Sequence, residues 1–248
     1  MIEVRSITCR YPGTTRNALE GISMNIRDGA TVAVMGANGS GKSTLARCLC
    51  GLLQPSEGEV LVDGEGVRGG DGVPGGRPGV GMVFQDPRTQ ITSLTVEREI
   101  AFGLQNLRIG QPELQERVEA QLRASSLAGV RSASPHTLSA GELQRLALAS
   151  VLVMRPAHLI LDEATSLLSP AARARLLSDV AREQHERGMS VMLITQFAAE
   201  ALAADRLIVL GDGHIALDGP PGALFALTHD MAALGVRVPL RFAAGVDA

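Results

Sequence analysis

Gly36-Ala-Asn-Gly-Ser-Gly-Lys-Ser43 packs glycines, hydroxyls and an ammonium into one short run. The spacing G-x-x-x-x-G-K-[ST] suits the binding of phosphate. Glycines let the backbone turn its N–H groups inward around an anion, and a helix opening directly behind them adds its positive end. Gly36, Asn38, Gly39, Ser40 and Gly41 are the candidate cradle. Lys42 is expected to reach the β and γ phosphates of a nucleotide, with the hydroxyls of Ser43 and Thr44 beside it and Ser43 on magnesium. Of the 23 basic residues, 22 are arginine, and Lys42 is the single lysine. A guanidinium is a broad planar fork and an ammonium a compact point charge. A slot closed on phosphate, with room for an ammonium alone, accounts for the exception.

A second stretch, LILDEATS (159–166), is an apolar strand ending in two adjacent carboxylates. Neighbouring side chains on a strand face opposite sides of the sheet plane. Asp162 is placed to hold a magnesium shell and Glu163 to take a proton from an attacking water. Together the two stretches point to hydrolysis of ATP or GTP.

The elements that must position these residues read as an α/β fold with much parallel sheet. Apolar runs predict strands at 31–36, 59–64, 80–85, 158–163, 190–195, 206–211 and 214–219. Helical segments are expected at 42–51, 95–108, 112–124, 141–154, 170–187 and 220–230, the last opening on Pro220 and Pro221, which suit a first helical turn. Strand signals thin out from 86 to 157, so the middle third reads as a helical insertion in a sheet-based domain.

Residues 64–81 contain nine glycines. Gly64, Gly66 and Gly69 spell G-x-G-x-x-G after a strand, but the dinucleotide fingerprint needs a helix to open on its last glycine. The chain continues GDGVPGGRPG, which cannot be helical, so a surface loop is expected instead.

At 248 residues the chain can bury a sizeable core, and 45% hydrophobic with 20% charged residues reads as globular. A net charge of −3 without an arginine stripe argues against nucleic acid as a partner. No apolar run reaches the roughly 18 residues of a membrane span, and MIEVRSITCR lacks the apolar core of a signal peptide. A cytoplasmic location is expected. Three cysteines fit no disulfide frame or zinc site, and Cys48 and Cys50 read as core packing. The histidines show no ligand spacing, so no metal site held by protein alone is expected.

LSAGELQRLALAS (138–150) resembles the signature of ABC ATPases, usually LSGGQ leading into a helix. VFQDP (83–87) resembles their Q-loop, which places Gln85 at magnesium and the attacking water. Tyr11 in RYPG stands where the family has an aromatic that stacks on adenine. The resemblance covers nearly the whole chain. It implies an ABC-type P-loop NTPase fold with a RecA-like core, an antiparallel β subdomain and a helical insertion. The implied division is a core with its β subdomain at 1–85 and 156–218, a helical subdomain at 86–155 and a tail at 219–248. ATP and Mg2+ are the implied cofactors. Two cassettes, copies or paralogues, would pair head to tail, with Ser139 and the Gly141 N–H meeting the partner's γ-phosphate in trans.

VFQDPRTQITSLTVEREIAFGLQN and the tail GPPGALFALTHDMAALGVRVPL are similar to energy-coupling-factor importer ATPases, which serve vitamin and cobalt or nickel uptake. That similarity implies a transmembrane partner subunit facing 86–100, and a peripheral position on the inner face of the membrane. Four positions depart from the family pattern: Ala140 for a signature glycine, Glu142 for the signature glutamine, Ser169 for the D-loop aspartate and Gln196 for a histidine at the γ-phosphate. Gln196 still donates through its amide but cannot become a cation. The expectation is a working but slow ATPase. The alternatives are a soluble nucleotide sensor or a DNA-maintenance ABC protein. The latter carries a long coiled coil where this chain has only residues 45–137.

Overall fold

The computed structural model describes residues 1–67 and 79–243. In chain order the strands are β1 (Ile2–Cys9), β2 (Leu19–Ile26), β3 (Thr31–Met35), β4 (Glu57–Val62), β5 (Glu65–Gly66), β6 (Val80–Val83), β7 (His158–Asp162), β8 (Ser190–Ile194), β9 (Arg206–Gly211) and β10 (His214–Gly219). The helices are α1 (Lys42–Leu49), α2 (Val96–Asn106), α3 (Gln111–Ala124), α4 (Ala140–Leu152), α5 (Pro170–Arg187), α6 (Ala198–Leu202), α7 (Pro221–Phe225), α8 (Thr228–Ala233) and α9 (Leu240–Ala243). They fall into two compact units. One holds residues 1–67 and 190–243, the other 79–189.

In the first unit β3 lies between β8 and β9, parallel to both, and β10 closes the edge antiparallel to β9. Strand β3 is apolar and buried from Val32 to Met35, as a strand covered on both faces must be. Ala33, Met35, Leu207 and Val209 supply one buried face and pack with Phe225 and Met231 from α7 and α8. A separate antiparallel sheet is ordered β2-β1-β4-β5, with Ile2 opposite both Ile26 and Val62.

The second unit pairs β6 and β7 in parallel, Val80 opposite His158 and Val83 opposite Leu161. Helix α4 lies against β6. A Cβ on Gly81 would stand 2.4 Å from a Val151 methyl, so glycine permits that approach. Helices α2, α3 and α4 bury Val96, Ile100, Leu104, Val118, Leu122 and Leu146 together. Helix α5 carries its boundaries in its sequence. Ser169 caps the start with Pro170 behind it, and Gly188 ends it in the left-handed conformation.

Two expectations need correction. The helix expected at 220–230 is two short helices, because the backbone leaves the helical path at Leu227, with φ −83° and ψ 63°. The loop expected from Gly64 begins as a hairpin: Val62 pairs with Glu65 and Leu61 with Gly66, so no helix opens there. Gly69 and the rest of 68–78 lie outside the described residues. Strands β1 and β2 and helix α6 were not among the elements read from the apolar pattern.

Candidate functional site

The first unit carries the phosphate loop. Strand β3 ends at Met35, the chain arches through 36–41 and α1 starts at Lys42. Gly36, Gly39 and Gly41 take positive φ values of 142°, 80° and 103°. At Gly36 a Cβ would stand 2.2 Å from the Leu210 carbonyl oxygen, and at Gly41 2.6 Å from that of Ala18. The arch is therefore closed to side chains at both ends. Gly41 is also the N-cap of α1, and having no side chain it leaves the first turn to other acceptors.

Within this arch Lys42 is only 6% exposed, and its ammonium donates to the carbonyl oxygens of Gly36 at 2.9 Å and Ala37 at 2.8 Å. A buried ammonium inside a glycine arch is suited to phosphate oxygens. Ser40, 4% exposed, has its hydroxyl oxygen buried with no hydrogen-bond partner. An orphaned hydroxyl, a buried ammonium and an uncapped helix start fit the phosphates of a nucleotide. Asn38 and Gly39 are exposed.

Tyr11 is half-buried. Its hydroxyl is 3.2 Å from Thr44 Oγ1 and accepts from Arg47 at 3.4 Å, so α1 fixes the only tyrosine of the chain. Thr44 is buried and serves Tyr11. Gln196 is exposed at the end of β8. The residues beside it are tied down: Thr195 Oγ1 accepts the Phe197 N–H at 3.0 Å and donates to the buried Glu200 carboxylate. The Thr195–Glu200 tie was not read from the sequence. A threonine at the end of a strand with a glutamate five residues later is its visible signal.

In the second unit Asp162 closes β7 fully buried, and Glu163 follows with φ 50°, a left-handed backbone rare outside glycine and asparagine. The Glu163 carbonyl accepts from the Ser166 amide at 3.0 Å and hydroxyl at 2.8 Å, and Gln85 donates to the same Ser166 oxygen at 3.4 Å. Ser166 thus joins two sequence-predicted residues, and was itself missed, although a serine just past a strand end is a common turn former.

The signature segment opens α4. Ser139 is its N-cap, and Glu142 accepts from the Ser139 N–H at 2.9 Å and its O–H at 2.6 Å. These bonds, with a lesser contribution from the Arg145 charge, hold the Glu142 carboxyl below the usual carboxylate range. Ser139, Gly141, Glu142, Arg145, Ser169 and Arg175 line a cavity of about 530 Å³. Ser169 uses its oxygen to accept the Ala172 N–H, so it keeps the capping role of an aspartate without the charge.

The arch, the strand-end carboxylates and the α/β architecture define a nucleotide-binding cassette. A profile described as ABC transporter matches residues 19–166. The energy-coupling factor transporter ATP-binding protein EcfA1 of Symbiobacterium thermophilum is 44% identical over 224 residues, 90% of this chain and 78% of that protein. Its counterpart in Bacillus subtilis is 39% identical over 98% of this chain and 86% of its own length. Among solved structures, cbiO1 from Clostridium perfringens, described as part of the ABC transporter complex cbiONQ, matches with TM-score 0.80 at 31% identity, covering 98% of this chain and 97% of that one. The ATP-binding cassette MJ0796, solved as a dimer with ADP and phosphate, matches with TM-score 0.79 at 25% identity, covering 89% and 99%. The chain belongs to the ABC transporter family, as an ATP-binding ATPase. Among the described residues no helix is long and apolar enough to cross a membrane.

Proposed function

We infer that this chain hydrolyses ATP to drive an importer of the energy-coupling-factor type, taking up a vitamin or a transition metal through a transmembrane partner. The observation that carries the reading is Lys42, an ammonium buried on two loop carbonyls inside a glycine arch at an uncapped helix start. Identity to energy-coupling-factor ATP-binding proteins along nearly the whole chain supports the choice of importer.

In this reading the chain is one ATPase domain, with 86–155 as its helical subdomain and 219–248 as its tail. Lys42 and the loop N–H groups bind the β and γ phosphates, and Tyr11 places its ring on the adenine. Ser43, Gln85 and Asp162 would hold magnesium. When bound, Mg2+ neutralises charge on the β and γ phosphates. Glu163 accepts a proton from water as the water oxygen bonds to the γ-phosphorus and the bond to ADP breaks, leaving ADP and phosphate. Gln196 donates its amide to the γ-phosphate as a neutral group. Ser139 and the Gly141 N–H serve the nucleotide of a second cassette, a copy or a paralogue. The assembly sits on the inner face of the membrane.

Magnesium-dependent ATP turnover, beside Glu163→Gln, tests this. The substitution should abolish turnover while ATP still binds. Turnover that survives it would remove Glu163 as the base, and a purified importer complex that binds ATP without turnover would leave a nucleotide sensor.

A further inference from the structure

The signature serine is already engaged in the isolated chain. A serine hydroxyl has one proton to give. Here that proton goes to a Glu142 oxygen 2.6 Å away, while the same carboxylate oxygen takes the Ser139 N–H at 2.9 Å. The bond is charge-assisted and stronger than one between neutral groups. A phosphate arriving at Ser139 needs the same proton and meets an ionised carboxylate beside it. Both cannot be served at once.

A second position for the carboxylate is close by. Arg145 lies three residues further along α4, on the same face of the helix, and lines the same cavity. Its Nε is buried with no hydrogen-bond partner. Arg175, from α5, also lines the cavity, but its guanidinium donates to Ser126 at 2.5 Å. Arg145 shares α4 with Glu142, and its buried Nε is a donor left without a partner.

We propose that Glu142 is a positioning residue that withholds the Ser139 hydroxyl, and that the second cassette's ATP claims it only when the carboxylate turns away to Arg145. The chain then carries its own stand-in for the γ-phosphate, which raises the ATP concentration needed for two cassettes to pair. This rests on the reading of Ser139 as a donor in trans.

The test is an ATP titration of pairing, followed by sedimentation in a Glu163→Gln background. It is run on the chain with its second cassette, a copy or the co-purifying paralogue. Glu142→Gln keeps an oxygen for the Ser139 N–H but removes the charge, and should lower the ATP concentration at half-pairing about three- to tenfold. Ser139→Ala should raise it, and adding Glu142→Gln to Ser139→Ala should then lower it by clearly less than in the Ser139 chain, since only the charge and not the withheld proton is left to remove. Arg145→Gln should raise it in the Glu142 chain and leave it unchanged in the Glu142→Gln chain, which a merely structural arginine would not do. Unchanged or weakened pairing in Glu142→Gln, with Ser139→Ala still harmful, overturns the withholding and leaves Ser139 in place. Unaltered pairing in Ser139→Ala overturns the role of Ser139 itself.

Discussion

Helix α1 begins on Gly41, which has no side chain to cap it, whereas α4 begins on Ser139, whose amide and hydroxyl are both held by Glu142. The first start has a buried ammonium and no acidic residue in its opening turn; the second has a carboxylate of its own. Both present the positive end of a helix. The difference teaches that a helix start becomes a strong anion site when its local acceptors are removed, and a conditional one when an internal acceptor must first leave. The ABC reading gives both starts to phosphate, one in cis and one in trans. Their construction predicts unequal sensitivity to substitution.

The largest effect belongs to Lys42→Arg. In the arch around Gly36 and Gly41 a Cβ alone would lie 2.2–2.6 Å from carbonyl oxygens, and a guanidinium is broader than the ammonium it replaces. Loss of a donor aimed at developing charge should lower ATP turnover by about 10²–10³-fold. Turnover within a fewfold of the original would show that the loop accepts any cation, and the single lysine would lose its explanation.

Next come paired glycine substitutions. Gly36→Ala places a methyl against the Leu210 carbonyl at φ 142°, and should cost on the order of 3 kcal/mol in thermal unfolding. At Gly141 an added Cβ would meet only the Ala172 methyl, at an ordinary 3.6 Å. Gly141→Ala should therefore leave stability unchanged or raise it by up to about 1 kcal/mol, since alanine favours a helix. Any loss it causes should appear in ATP-dependent pairing. Equal destabilisation by the two would erase the distinction between a glycine that shapes the backbone and one that clears a surface.

Much of this was legible in the sequence, and the gaps have physical causes. The strand-arch-helix unit from Thr31 to Leu49 uses local rules: an apolar strand, glycines at positive φ and a helix with alanine and leucine. Strands β3, β7, β8 and β9 are buried on both faces and read as continuous apolar runs. Strands β1 and β2 did not, because their sheet alternates buried and exposed residues, and register shifts flank Ile7, with Ser6 at φ 48°. A bulge breaks the period of two on which strand reading depends. The bonds of Ser166 to Glu163 and Gln85 were hidden for a different reason. They join residues brought together by turns and pairing, which periodicity does not encode.

The smallest effect sharpens the α4 side of the comparison. Glu142 is held below its ordinary value of 4.5 by its bonds to Ser139. A carboxyl bound more tightly as an anion in the folded chain adds stability that is complete above its unfolded pKa and is lost as pH falls through the folded one. The Glu142→Gln chain has no titrating group at that position. Arg145 on the same helix and Arg175 on α5 line the same cavity. The difference in melting temperature between the two chains should thus be constant above pH about 6 and shrink toward zero as pH drops below the ordinary carboxylate value. A difference that persisted unchanged into acid would mean the Ser139 proton is not given to an anion. Helix α4 would then be capped by Ser139 alone, its hydroxyl as available to phosphate as the open start of α1.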